Sequence, residues 1–338
     1  MPERVLVLGA GAWGTVLANL AARAGAHVAL WTRDPDHAAE MAATGVNARH
    51  LPGVPLGLSV RPTASLSQAE EADLILLAVP TQALRQVCES LTSPPAVPII
   101  ICAKGIERTS GLFPTEVVAE VLPDNPCAVL SGPSFAADVA KGLPTAVTLA
   151  AADSEQAAAL ARKLAAPWFR LYHSHDVRGV EIGGAAKNVL AIASGIAAGR
   201  GLGASAGAAL IARGFAELAR FGRAYGADPA TLSGLSGLGD LVLTCTSHQS
   251  RNFSFGFALG QGASVEAASA DGRLHEGVFT CGILVDLARR KSIDMPISAA
   301  IDAVLAEKLS IDAAIEALLS RPAKPEIAAG NTGARFYE

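Results

Sequence analysis

The chain has 338 residues, of which 51% are apolar, 17% charged and only 5% aromatic, with a net charge of −4. That length favours two domains at roughly 150 residues each, and so much apolar content excludes intrinsic disorder. The charges are interspersed without a basic block, so nucleic acid is not an expected partner.

The N-terminal run Val5–Leu8 lacks the basic flank and cleavage site of a signal peptide. No stretch approaches the roughly 20 apolar residues that span a bilayer. The longest, Val189 to Gly199, lies between Lys187 and Arg200 and is broken by Ser194 and Gly195. A cytoplasmic protein without membrane insertion is expected. Cys88, Cys102, Cys127, Cys245 and Cys281 form no C-x-x-C pair, and the seven histidines are scattered. This reads as reduced cysteine with no metal site.

Along residues 1–180, short β-branched runs alternate with helical spacing. Strands are predicted at Val5–Leu8, Val28–Trp31, Leu74–Val79, Ile99–Cys102, Ala128–Leu130, Ala146–Leu149 and Phe169–Tyr172. Helices are predicted between them at Trp13–Ala24, Pro35–Ala43, Gln82–Leu91, Thr115–Leu122 and Ser154–Ala165. The strands are continuously apolar, as strands buried on both faces of a parallel sheet are. The pattern predicts a doubly wound, Rossmann-like α/β domain. Over residues 181–338 the strand pattern stops. Helices are predicted from Val180–Ala198, Ser205–Tyr225, Asn252–Gly260, Val278–Arg290, Ile297–Ala306 and Ile311–Leu319, forming an all-α domain, with a Pro/Gly-rich tail from Pro322.

Gly9-Ala10-Gly11-Ala12-Trp13-Gly14 matches G-x-G-x-x-G between a strand and a helix, the context a dinucleotide site requires. Gly9 permits the tight turn, Gly11 the approach of a pyrophosphate, and Gly14 the close packing of helix on strand. The helix N-terminus then presents N–H groups to the phosphates. At the end of the second strand, Arg33 suits a 2′-phosphate and Asp34 suits a ribose 2′-hydroxyl. The reading favours NADP(H), with NAD(H) also accepted.

Further loops fall at strand ends and at the domain junction. Lys104 follows one buried strand, and Leu130-Ser131-Gly132-Pro133-Ser134-Phe135-Ala136 follows another, where open α/β sheets bind ligands. Lys187, in Gly183-Gly184-Ala185-Ala186-Lys187-Asn188, opens the helical half; burial beside a second cation lowers a lysine's pKa and lets it exchange protons. Asp240, among Gly234, Gly237 and Gly239, reads either as a partner for Lys187 or as an N-cap for Leu241 onward. Ser250 reads as an N-cap, and Arg251 in the following first turn suits an anion.

These motifs resemble the bacterial NAD(P)-dependent glycerol-3-phosphate dehydrogenases nearly end to end, from about Val5 to Leu319. The glycine turn with Thr15 is shared by many dehydrogenases. Leu130–Ala136, Ala186-Lys187-Asn188-Val189, Gly237–Leu241 with Thr244-Cys245-Thr246-Ser247, and Ser250-Arg251-Asn252, in this order, are specific. The resemblance implies reversible reduction of dihydroxyacetone phosphate to sn-glycerol 3-phosphate, a glycerophospholipid precursor, by a homodimer. It implies Lys187 as proton donor and acceptor, with Lys104, Asn188, Asp240 and Thr244 around the reacting carbonyl. Gly132, Ser134, Ser250, Arg251 and Asn252 match substrate-contacting positions. Ala12, Trp13, Arg33, Ala136, Leu274 and Glu276, with Lys104 and Arg251, match cofactor-contacting positions. His50 stands at a cofactor position where relatives often carry an aromatic residue. Ala12 replaces a common hydroxyl, so a contact there runs through backbone. The rival readings are a β-hydroxyacid dehydrogenase and a nucleotide-sensing protein without catalysis.

Overall fold

A computed structural model describes residues 2–91, 94–270, 272 and 274–323. The predicted tail therefore lies, beyond Ala323, outside the described residues. The strands are β1 (Arg4–Leu8), β2 (His27–Trp31), β3 (Val60–Thr63), β4 (Leu74–Leu77), β5 (Ile99–Ile101), β6 (Cys127–Ser131), β7 (Thr145–Ala151) and β8 (Phe169–Ser174). They form one sheet in the order β3-β2-β1-β4-β5-β6-β7-β8. The order reverses between β1 and β4, where a doubly wound sheet opens its ligand crevice.

Every predicted strand is present, and β1, β4 and β5 are buried on both faces, as their unbroken apolar runs require. Two features depart from the prediction. β3, Val60-Arg61-Pro62-Thr63, was not foreseen; it is an edge strand, where a proline is tolerated because the outer side needs no ladder donor. The sheet is also not wholly parallel, since β7 runs antiparallel to β6 with Ser131 opposite Thr148. The connection between them, which carries the short helix Ala136–Ala140, starts at Gly132, whose φ of 146° favours glycine. A side chain there would place its Cβ 2.8 Å from Val147 Cα.

Beyond β8 the described residues form helices joined by loops, with no further strand. The helix Val177–Gly199 is the spine of this half, packed against Arg251–Gly260, Gly203–Ala224, Asp240–Cys245 and Glu276–Arg290. It has 23 residues and, contrary to expectation, is long and apolar enough to cross a bilayer. The rest of the protein covers it instead, with 89% of its most apolar window buried. An all-round apolar helix is what a helical core requires. Its contact with Arg251–Gly260 is a glycine seam. Added Cβ atoms on Gly195 and Gly199 would lie 2.1 and 2.3 Å from the carbonyl oxygens of Phe253 and Phe257. Those on Gly256 and Gly260 would lie 2.1 and 2.5 Å from the carbonyls of Ile192 and Ile196. The two backbones touch because neither carries side chains along this line.

Smaller boundary differences have local causes. The helix expected over Gln82–Leu91 opens as a 3₁₀ turn, Thr81–Ala83, and becomes α-helical only over Leu84–Glu89. Short helices at Ala136–Ala140, Pro229–Ser233 and Asp240–Cys245 were below the length at which periodicity is visible. All five cysteines are free and four are buried, as small apolar residues are.

Candidate active site

The glycine turn lies at the carboxyl end of β1. Gly9 has φ 113°, and its N–H donates to the Trp31 carbonyl at the end of β2 at 3.1 Å. A Cβ on Gly14 would sit 1.8 Å from the Gly9 oxygen, so turn and helix require glycine there. Gly11 is different: an added Cβ meets nothing within 4 Å, which leaves open space over the turn. The helix Ala12–Arg23 has Gly11 as its N-cap and no side-chain capping bond, so its first N–H groups face that space. These features fit a dinucleotide pyrophosphate. Ala12, Trp13 and Ala136 pack against the same core beside the turn.

Asn47, which sequence reasoning missed, ties this region together. It is fully buried; its side-chain N–H groups donate to the Ala10 carbonyl at 2.8 Å and to Thr15 Oγ1 at 2.7 Å. Its oxygen accepts from His50 N at 3.2 Å and lies 3.0 Å from His37 Nε2. The segment carrying Arg49 and His50 is thereby fixed beside the glycine turn. No sequence signal marks a lone loop asparagine as such a hub. Arg33, at the end of β2, is exposed.

Three charged side chains meet between the sheet and the helical half. Lys104, three residues beyond β5, donates from Nζ to Asp240 Oδ2 at 2.7 Å and to the Gly132 carbonyl at 3.2 Å. Lys187, midway along the spine helix, stands 2.5 Å from Asp240 Oδ1 and donates to Thr244 Oγ1 at 3.0 Å. Thr244 in turn donates to the Asp240 carbonyl at 2.6 Å. Asp240 is the first residue of its helix, whose N-cap is Gly239. Its carboxylate therefore pairs with the lysines and caps nothing, which decides between the two readings of this residue. Gly184 makes room: a Cβ there would lie 3.3 Å from Lys104 Cγ.

Burial governs the charges. The Lys187 and Asp240 side chains are 8% and 2% exposed, while Lys104 keeps 21%. Burial pushes the Lys187 ammonium down to about 8; Asp240 opposes that shift and Lys104 adds to it. Burial would raise the Asp240 carboxyl, but Lys104 and then Lys187 outweigh it and hold it below the usual carboxylate range. The triad thus has two cations to one anion.

A chain of amides leads away from it. Asn188 donates to the Lys104 carbonyl at 3.1 Å, and Asn252 donates to Asn188 Oδ1 at 3.0 Å. Gly277 N–H donates to Asn252 Oδ1 at 3.0 Å. Ser250 caps the Arg251–Gly260 helix, accepting from Phe253 N at 3.2 Å. Arg251 is exposed, and its charge is felt at both His50 and Glu276. Ser134 is half-buried and donates to the Gly132 carbonyl at 3.1 Å. Leu274 is half-buried just before Glu276. Glu276 Oε1 accepts from Thr81 N at 3.1 Å across the two halves. Its other oxygen is buried without a partner, as are the nearby Thr81 and Thr280 hydroxyls. Among the described residues no cluster suits a metal ion.

Residues 4–157 match the family described as NAD-dependent glycerol-3-phosphate dehydrogenase N-terminus, and residues 176–316 match its C-terminus. The chain belongs to the NAD-dependent glycerol-3-phosphate dehydrogenase family. A curated glycerol-3-phosphate dehydrogenase [NAD(P)+] from Beijerinckia indica is 68% identical over 329 residues, covering 96% of this chain and 98% of that one. Its counterpart from Azorhizobium caulinodans is 59% identical over 326 residues, with 96% and 98% covered. The crystal structure of glycerol-3-phosphate dehydrogenase from Coxiella burnetii superposes with a TM-score of 0.90 at 41% identity, covering 95% of this chain and 99% of that one. In this member of the dehydrogenase family, the specific motifs fall on the geometry just described. Lys104, Lys187, Asn188, Asp240, Thr244 and Asn252 form one connected cluster, while Arg33 is exposed just beyond β2 and His50 is held beside the glycine turn through Asn47.

Proposed function

We infer that the chain catalyses the reversible NAD(P)-dependent reduction of dihydroxyacetone phosphate to sn-glycerol 3-phosphate. The observation that carries this reading is the buried Asp240 carboxylate bonded to both Lys104 and Lys187. The nicotinamide cofactor, when bound, supplies or accepts the hydride. Lys187 gives a proton to the carbonyl oxygen during reduction and takes it back during oxidation, and its lowered pKa suits both directions. Asp240 orients the ammonium, and Lys104 stabilises the negative charge that develops on oxygen. Asn188 and Thr244 hold Lys104 and Lys187 in place through the bonds given above. Arg251, Ser250, Asn252, Gly132 and Ser134 form the substrate side, where Arg251 meets the phosphate. Binding energy at that remote group positions the carbonyl.

On the cofactor side, Gly9, Gly11, Ala12, Trp13 and Gly14 receive the pyrophosphate end and Arg33 the adenosine end. His50, Ala136, Leu274 and Glu276 complete the cleft. The unpartnered Glu276 oxygen supports a polar ligand there. Residues 1–180 act as the nucleotide domain and 181–338 as the substrate domain, in a cytoplasmic homodimer that supplies glycerophospholipid synthesis. The test is NADPH absorbance with dihydroxyacetone phosphate compared with small 2-oxo and 3-oxo acids. Turnover of the phosphorylated ketone alone is expected. Turnover of oxo acids alone would make the chain a β-hydroxyacid-type dehydrogenase, and NADPH binding without turnover a sensor.

A further inference from the structure

Asp34 stands where an acidic residue in a Rossmann fold accepts the ribose 2′-hydroxyl of NAD. Both of its oxygens are engaged elsewhere. Oδ1 accepts from the N–H groups of Asp36 at 3.0 Å and His37 at 3.2 Å, capping the helix Pro35–Thr44. Oδ2 accepts from Arg49 Nη1 at 2.7 Å. Arg49 also donates from Nε to Glu40 at 2.8 Å, and its segment is pinned to the glycine turn through Asn47. Arg33, next to Asp34, is exposed and makes none of these bonds.

We propose that Arg49 is a positioning residue for cofactor choice: it holds and neutralises Asp34, so that a 2′-phosphate meets Arg33 without a facing carboxylate. The proposal rests on the N-terminal half being the NAD(P) site. The pair itself is 43% and 42% exposed, so its contribution to folding is small. Its effect is on the charge that the 2′-position meets. With Arg49 removed, Asp34 keeps its helix-capping bonds but regains its free charge and one free oxygen. That oxygen repels a phosphate dianion and accepts from a ribose hydroxyl, two changes with opposite sign for the two cofactors.

Isothermal titration calorimetry of NADPH and NADH, without substrate, reads this directly. Arg49→Met is expected to move the ratio of the two dissociation constants toward NADH by roughly five- to thirtyfold, less at high salt. Asp34→Asn retains a capping side chain. Alone, it is expected to leave the ratio within about twofold, and combined with Arg49→Met it restores the original preference. Thermal melts of each variant separate this from unfolding. An unchanged ratio in folded Arg49→Met overturns the proposal. So does a tenfold loss of NADH affinity in Asp34→Asn alone, which needs no Arg49 variant and means that Asp34 already holds the ribose. Failure of the unaltered protein to bind either dinucleotide removes the functional reading, and this proposal with it.

Discussion

Lys187 and Asp240 meet 2.5 Å apart inside the protein, and the same carboxylate also holds Lys104 at 2.7 Å. One anion shared between two ammoniums leaves a surplus positive charge between the sheet and the helical half. That surplus is useful to a reaction that builds negative charge on oxygen. The arrangement also explains why a buried lysine stays charged near neutral pH and yet gives up its proton readily.

The pH profile follows from this. Burial first, and Lys104 as well, lower Lys187 to about 8 against the opposing pull of Asp240. Reduction needs the protonated lysine, so kcat/KM for ketone reduction should be level below about pH 8 and fall above it. Oxidation needs the neutral amine and should rise through the same range. Asp240→Asn removes the charge that raises Lys187, so its break should move to lower pH. Steady-state rates in both directions from pH 6 to 10 check this. A reduction profile still level at pH 10 would contradict it.

The glycine turn gives a contrast between two neighbouring positions. Gly14→Ala drives a Cβ to 1.8 Å from the Gly9 oxygen. It should cost about 1–3 kcal/mol and lower the melting temperature. Gly11→Ala meets no protein atom. It should melt like the unaltered protein while losing at least about tenfold in NADPH affinity, because the methyl group occupies the approach of the pyrophosphate. Calorimetric melts and cofactor titrations on both variants measure the two effects. Equal cofactor loss with equal destabilisation would place the ligand elsewhere.

Much of this was legible in the chain. Strands such as Leu74–Leu77 and Ile99–Ile101 announce themselves because burial on both faces leaves no polar position. β3 did not, because an edge strand with Arg61 and Pro62 has no such constraint. The residues 183–188 and 234–240 left Asp240 open between a partner for Lys187 and a helix N-cap, because both suit an acid set among glycines, and only the folded geometry decides for the lysine. The bond from Lys104 to the same carboxylate spans 136 positions, and only the tertiary fold creates it. Asn47 was invisible for the same reason, since the four partners of its side chain come from three separate segments.

The glycine seam couples helix packing to the site. Gly256→Ala would place its Cβ 2.1 Å from the Ile192 carbonyl and push the Arg251–Gly260 helix off the spine. A loss of about 1–3 kcal/mol is expected. The Asn252–Asn188 bond at 3.0 Å depends on that contact, so turnover should fall as well, in the variant's folded fraction. Urea titration with rates measured below the transition tests both. Full activity in a destabilised variant would uncouple the seam from the site.

The most direct measurement is the rate of NADPH oxidation with dihydroxyacetone phosphate in Lys187→Met, beside NADPH binding to the same variant. Asp240 keeps Lys104 as a partner there, so the fold should survive. Loss of the proton donor should lower kcat by about 10²–10⁴-fold with NADPH affinity nearly unchanged. A variant that turns over at the rate of the unaltered protein would contradict the assignment of proton transfer to Lys187.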